Sequence, residues 1–167
     1  MPEATLLHFA PEAAVTRFVR PLCSNYVTTD FLRDDVDLKL NIEALDLPDD
    51  SFDAVICSHV LEHVDDRAAL AELFRILKPG GIALLAVPMV EGWETSYEDP
   101  SITDQRDRLV HFGQEDHVRR YGRDFRNRVK QAGFLLTEFG RGGADSVRYS
   151  IIPGERVFIA AKPPQVH

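Results

Sequence analysis

The sequence predicts an α/β domain: a mostly parallel sheet with helices on both faces and an antiparallel hairpin at its C-terminal end. Three observations carry this expectation. Short apolar runs alternate with amphipathic stretches, the order that βαβ units produce. The chain has 167 residues, 44% hydrophobic and 28% charged, which suits a single domain, 1–167, able to bury a sizeable core. The last two apolar runs have no amphipathic stretch between them, only Arg141-Gly142-Gly143 and the turn Pro153-Gly154, so they are expected to pair as a hairpin at one sheet edge.

The elements follow in order. Residues 5–9, 26–29, 53–58, 82–87, 134–139 and 156–161 are the apolar runs and the expected strands. Ala10-Pro11-Glu12-Ala13-Ala14 opens a helix after the first. Between the third and fourth, Leu70, Leu73, Phe74 and Leu77 recur at helical spacing, Asp65 or Asp66 can cap the start, and Pro79-Gly80-Gly81 stops the helix. A further helix is expected to carry Val118, Tyr121, Phe125, Val129 and Ala132 on one stripe and to end at Gly133. Residues 91–113 break the alternation. With Trp93, Tyr97, Pro100 and His111 but little periodicity, they are read as a long loop, a lid over the acceptor side of a ligand site.

Charge and cysteine content bound the function. A net charge of −8 disfavours general adhesion to nucleic acid or to an anionic membrane and favours a small-molecule partner. Residues 106–130 run against this trend, with eight basic residues against four acidic. Arg119, Arg123, Arg126 and Lys130 follow helical spacing, so this is either a solvated helix face or an anion-binding edge. Of the two cysteines, Cys23 and Cys57, the second lies in an apolar run and reads as a buried, reduced thiol. With no apolar stretch near 18 residues and no basic-then-apolar start, the expected location is cytoplasmic.

In a parallel α/β sheet, ligands bind beyond the carboxyl ends of the strands. Four positions there form a set: His8-Phe9-Ala10 with the turn that follows; Asp30, 20 residues past Ala10; Asn41-Ile42; and Ser58-His59. An acidic residue at the interval of Asp30 meets a ribose diol in dinucleotide folds.

Residues 47–64, from Leu47-Pro48-Asp49-Asp50-Ser51-Phe52-Asp53 through His59-Val60-Leu61-Glu62-His63-Val64, and then Glu72-Leu73-Phe74-Arg75-Ile76-Leu77-Lys78-Pro79-Gly80-Gly81, resemble the class I S-adenosylmethionine-dependent methyltransferases, in particular their small-molecule branch. Ala132-Gly133-Phe134 fits the same pattern. The resemblance implies a Rossmann-like fold and methyl transfer from S-adenosylmethionine to a small-molecule acceptor. It further implies that Asp30 binds the ribose hydroxyls, Asn41 and Ile42 face the adenine, His8, Phe9 and Ala10 form the first cofactor loop, and Ser58 and His59 meet the methionine end. Two departures stand out. The turn after the first strand has no glycine, so Ala10, Glu12 and Ala14 are expected to crowd the cofactor there, and Asn41 replaces an aspartate. A methyltransferase-like binding or partner module without turnover is the alternative that the missing glycines raise.

His59-Val60-Leu61-Glu62-His63 also matches H-x-x-E-H, a zinc peptidase spacing. The segment directly follows a strand and a capped helix restarts at Asp65-Asp66, so the motif is set aside and no metal is expected. Methyl transfer from a sulfonium needs mainly positioning and exclusion of water. For a hydroxyl acceptor, His111 is the first candidate base, with His117 and Tyr97 behind it, while Arg106 and Arg108 suit an anionic acceptor.

Overall fold

The computed structural model describes residues 4–140 and 156–165. In chain order the elements are β1 (Thr5–Phe9), α1 (Ala13–Val19), β2 (Asn25–Asp30), β3 (Leu38–Lys39), β4 (Phe52–Ser58), α2 (Asp66–Ile76), β5 (Leu77–Ala86), β6 (Tyr97–Glu98), α3 (Gln105–Phe112), β7 (Arg119–Arg120), α4 (Phe125–Gln131), β8 (Leu135–Gly140) and β9 (Arg156–Ala161). Seven strands form one sheet in the order β3-β2-β1-β4-β5-β9-β8. β1 to β5 are parallel, and β9 runs antiparallel to both of its neighbours. The expected α/β architecture and C-terminal hairpin are thus present, with β9 inserted beside β5 and β8 at the edge. The connecting turn, Arg141 to Gly143 and Pro153-Gly154, lies outside the described residues.

Register explains the core. Leu7 pairs with Val55, Val55 with Ala83 and Ala83 with Ala160; two residues further along, Phe9 pairs with Cys57, Cys57 with Leu85 and Leu85 with Phe158. The period of two puts both rows on one face, and all of these residues are buried. Leu70, Leu73 and Ile76 of α2 join the same core, as do Tyr121 and Phe125, whose rings lead on to Phe158 with centroids 4.7 and 5.0 Å apart. Burial pushes the Cys57 thiol well up, in keeping with a reduced interior cysteine.

α2 begins where expected, with Asp65 Oδ1 accepting from the backbone N–H groups of Arg67 and Ala68. It ends at Ile76 rather than at Pro79. The Pro79-Gly80-Gly81 turn falls within β5, where Gly80 takes a φ of +81° and the β4–β5 register shifts. α4 ends at Gly133 as expected: φ is +103°, and a Cβ there would lie 2.9 Å from the Phe74 ring.

Three expectations are corrected. The helix placed over Val118 to Ala132 is only Phe125–Gln131. Val118 and Tyr121 flank extended backbone, with β7 paired to β6 and Tyr121 bridged to Met89. Gly122 forces this path, because a Cβ on it would sit 2.6 Å from the Thr95 carbonyl. Residues 91–113 are not a bare loop: they hold β6 and α3, the latter capped by Asp104 and closed by Gly113 at φ +92°. The basic residues are a solvated face only in part, with Arg123 and Lys130 exposed. Arg119 is buried, Arg128 nearly so, and Arg126 pairs with both Glu91 and Glu138. Among the described residues no helix is long and apolar enough to cross a membrane.

Candidate active site

Strand order reverses between β1 and β4, since the chain winds outward through β2 and β3 on one side and through β4 and β5 on the other. The crevice at such a switch point is where α/β sheets hold ligands. A cavity of about 520 Å³ opens there, within the range of small-molecule sites. Phe9 and Ala10 follow from β1, Asp30, Phe31 and Leu32 from β2, Asn41 and Ile42 from the segment after β3, and His59 and His63 from the turn after β4.

The corners of this cavity are strained. Ala10 has φ +47° and His59 φ +53°, two of the three non-glycine residues with positive φ among those described. Each is held by the sheet: Ala10 N–H donates to Thr29 O and His59 N–H to Ala86 O, both at 2.9 Å. Ala10 therefore takes the left-handed path that a glycine would take without strain. Of the residues expected to crowd this turn, Ala10 lines the cavity and Glu12 does not. Glu12 Oε2 lies 2.9 Å from His8 Nε2.

His8 is wholly buried beneath α1 and does not line the cavity. A chain runs from Thr16 through the Tyr26 hydroxyl to His8 Nδ1, and from His8 Nε2 to Glu12. These contacts fit a neutral ring that accepts from Tyr26 and donates to Glu12. Burial lowers the His8 pKa against the pull of Glu12 and raises that of Tyr26.

Asp30 Oδ1 accepts from the N–H groups of Leu32 and Arg33, shaping the turn after β2. Arg33 in turn donates to Pro11 O at 3.0 Å, joining the β1 and β2 rims. Asn41 Oδ1 accepts from Glu43 N–H and keeps a second lone pair. The segment that follows is clamped onto α2: Glu43 accepts from Asp65 N–H, Glu72 accepts from Leu45 N–H, and Arg75 donates to the carbonyls of Leu45 and Leu47. The cavity's outer wall is thereby fixed to a long helix.

Of the sequence-derived candidates, Phe9, Ala10, Asp30, Asn41, Ile42 and His59 meet around one cavity. His8 and Ser58 do not line it, and His111 is elsewhere, on α3, its Nδ1 2.6 Å from the Tyr97 hydroxyl. A second cavity of about 570 Å³ adjoins the first, sharing Glu43, His63 and Val64. Its far side includes Glu98, Pro100, Ile102 and Arg108 from residues 91–113. An ionic network frames it. Arg128 bridges Asp66 and Glu98, and Arg119 donates to Glu98 and to the carbonyls of Leu61 and Val64. The Arg128 hydrogen bond, with Arg119 beside it, holds the Glu98 carboxyl at about 2. Sequence reasoning passed over His63, the histidine that lines both cavities. Its signal was the H-x-x-E-H pattern itself.

The sheet order, the reversal at β1/β4 and the antiparallel last strand define a Rossmann-like α/β architecture. Residues 22–85 match a family model described as a methyltransferase domain. The structure of the YcgJ protein from Bacillus subtilis is similar, with a TM-score of 0.67 and 17% identity over 98% of this chain and 93% of that one. So is the 1,6-didemethyltoxoflavin-N1-methyltransferase of Burkholderia thailandensis, solved with 1,6-didemethyltoxoflavin and S-adenosylhomocysteine: TM-score 0.67, 15% identity, 97% of this chain and 72% of that one. In sequence, the ubiquinone/menaquinone biosynthesis C-methyltransferase of Pasteurella multocida is 49% identical over 49 residues, 29% of this chain and 18% of the relative. The matched stretch spans about a fifth of the length of such curated relatives. Residues 22–85 are thus similar to a methyltransferase domain, and the fold is the one these solved structures share.

Proposed function

We propose that this chain transfers a methyl group from S-adenosylmethionine to a small-molecule acceptor. The observation that carries the reading is the convergence of the β1, β2 and β4 ends on one cavity with a carboxylate, Asp30, at its rim. The donor set suits the cofactor. Asp30 offers a carboxylate for a ribose diol, Asn41 an amide for the adenine edge, and Phe9, Ile42 and Val60 apolar walls for the ring. Phe31 and Leu32 line the same cavity while 67% and 79% exposed, apolar surface that a bound ring would cover. His59 stands at the methionine end; His8 and Ser58 support the site from behind it.

Bound there, the cofactor supplies a methyl group on a sulfonium, already a good leaving group, so the protein's work is to orient two reactants and exclude water. The second cavity is the acceptor side in this reading. Residues 91–113 wall it and close over it, and Arg108 favours an anionic acceptor. His111 lines neither cavity, so it acts only if α3 moves. The left-handed turn at Ala10, the backbone path a glycine would take, supports an enzyme over a module without turnover. Calorimetry and thermal melting with S-adenosylhomocysteine test the reading. Ligand at about 100 times Kd should stabilise the fold by roughly 2.7 kcal/mol; an unmoved melting temperature at millimolar ligand, with silent calorimetry, overturns it.

A further inference from the structure

We infer that Glu62, His63 and His117 form a binding site for a divalent first-row transition metal, with Zn²⁺ the best fit. One ligand atom from each residue lies within 4.8 Å of the others. Some point is then within about 2.8 Å of all three, and small side-chain rotations reach the roughly 2.0–2.2 Å of zinc–nitrogen and zinc–oxygen bonds.

Burial supplies an independent reason for a cation. Glu62 is 1% exposed and His117 5%. Among the described residues, neither carboxylate oxygen of Glu62, nor Nδ1 of His117, has a hydrogen-bond partner. The His59 ring lies 3.3 Å from Oε1, in ion-pair range. Lone pairs that converge in a dry interior without a donor are costly, and a metal ion satisfies them together. The His63 and His117 rings pack edge to face, with centroids 4.6 Å apart.

The scaffold holds this arrangement without the metal. Glu62 and His63 lie on the tight turn 61–63 after β4, and His117 comes just before β7. Val118 N–H donates to Glu62 O at 2.9 Å, and the Arg119 guanidinium grips the carbonyls on either side, Leu61 and Val64. Asp116 places Oδ2 3.2 Å from His63 Nδ1, a carboxylate able to orient the ring. This is not the helical H-x-x-E-H site of a zinc peptidase. The turn is too short, His59 is exposed at the cavity corner, and a histidine from 54 residues further on replaces it.

Two imidazoles and a carboxylate suit zinc and its neighbours better than calcium or magnesium, which take oxygen ligands. Three protein ligands also leave a coordination position open. Because His63 and Asp116 line the main cavity, that position is reached from it, and a ligand oxygen or thiolate there could complete the shell.

The test uses the full chain, stripped with chelator and titrated with Zn²⁺ by calorimetry and with Co²⁺ by visible absorption. One equivalent is expected, with a Co²⁺ band of tetrahedral or five-coordinate intensity. Glu62→Gln and His117→Gln should each abolish the band and weaken Zn²⁺ by more than the 10- to 100-fold that loss of an outer-shell partner costs. Asp116→Asn, on the exposed partner, should cost about tenfold, and His111→Gln should change nothing. Circular dichroism confirms that each variant is folded, and Asp116→Asn keeps the test alive if a buried variant is not. No Co²⁺ band in the wild type, or Zn²⁺ affinity indifferent to Glu62, His117 and Asp116, overturns the proposal. The inference stands apart from the cofactor reading: a chain that binds Zn²⁺ but not S-adenosylhomocysteine refutes the latter alone.

Discussion

Replacing Ala10 by glycine should stabilise this protein, whereas the same change four residues later should destabilise it. Ala10 is in the left-handed region at φ +47°, held by its bond to Thr29 O. An L residue there costs roughly 1–2 kcal/mol, while glycine forfeits about 0.5–1 kcal/mol through the greater freedom of its unfolded chain. The balance is a gain of about 0–1.5 kcal/mol for Ala10→Gly, centred near 0.75. Ala14 lies in α1 with its side chain exposed, so Ala14→Gly loses about 0.5–1 kcal/mol of helix propensity with no packing change. Urea titration reads both: the midpoints should move in opposite directions at constant m, by about 1–4 °C when converted to melting temperature for a domain of this size. Because the backbone path is unchanged, S-adenosylhomocysteine affinity should not fall in Ala10→Gly. If Ala10→Gly lowers the midpoint as Ala14→Gly does, the strain is not there and the glycine-free turn is no equivalent of a glycine-rich one.

Asp30→Asn keeps an oxygen to accept from Leu32 and Arg33 while removing the charge and one acceptor; S-adenosylhomocysteine affinity should drop about tenfold to a hundredfold with little change in melting temperature. Unchanged affinity by calorimetry would mean that the ribose is held elsewhere. Arg128→Met strands the Asp66 carboxylate, which is 1% exposed, and should cost about 3–5 kcal/mol in urea; a loss under 1 kcal/mol would show that the Tyr121 hydroxyl suffices. Stability should fall in two stages as pH drops at fixed ionic strength. His8 and His117 have folded pKa values below 6.5, lowered chiefly by burial, so the unfolded chain takes up protons first and stability declines as pH falls through 6.5 and below. Glu98, depressed from 4.5 to about 2, adds its loss only below about pH 4.5. A midpoint flat between pH 7 and 5.5 would refute the first stage.

What the sequence revealed tracks how strongly each element is patterned. β1 and the start of α2 are legible because an apolar run and a capped 3.6-residue stripe have few alternatives. β3 is two residues long and carries no pattern. α3 buries only Phe112, so no stripe announces it; its signals are the Asp104 cap and Gly113. Tyr121, Phe125 and Val129 are all buried, which imitates a single helical stripe, but extended and helical backbone meet at Gly122, whose close approach to Thr95 is a tertiary fact. In the site, positions just past strand ends converge because topology alone brings them together. His8 shows the limit: one residue before Phe9, it faces its partners under α1 and not the cavity. The fates of Arg119 and Arg128 depend on Glu98, 21 and 30 residues away, a distance at which sequence spacing says nothing about pairing.

The sole tryptophan of the chain lies in the 91–113 segment. Trp93 N–H donates to Val90 O, Trp93 O accepts from Arg123 N–H, and the residue is 38% exposed. The backbone is thus anchored to the strand exit and to the start of α4, while the indole keeps contact with solvent. Ultraviolet emission excited at the red edge of the absorption band therefore comes from this one spot, with no dye and no engineered label. The segment's own fluorescence can be followed in a stopped-flow instrument. If the segment closes as proposed, water leaving the ring moves the emission to shorter wavelength, and the rate of that change can be compared with turnover in the same cuvette.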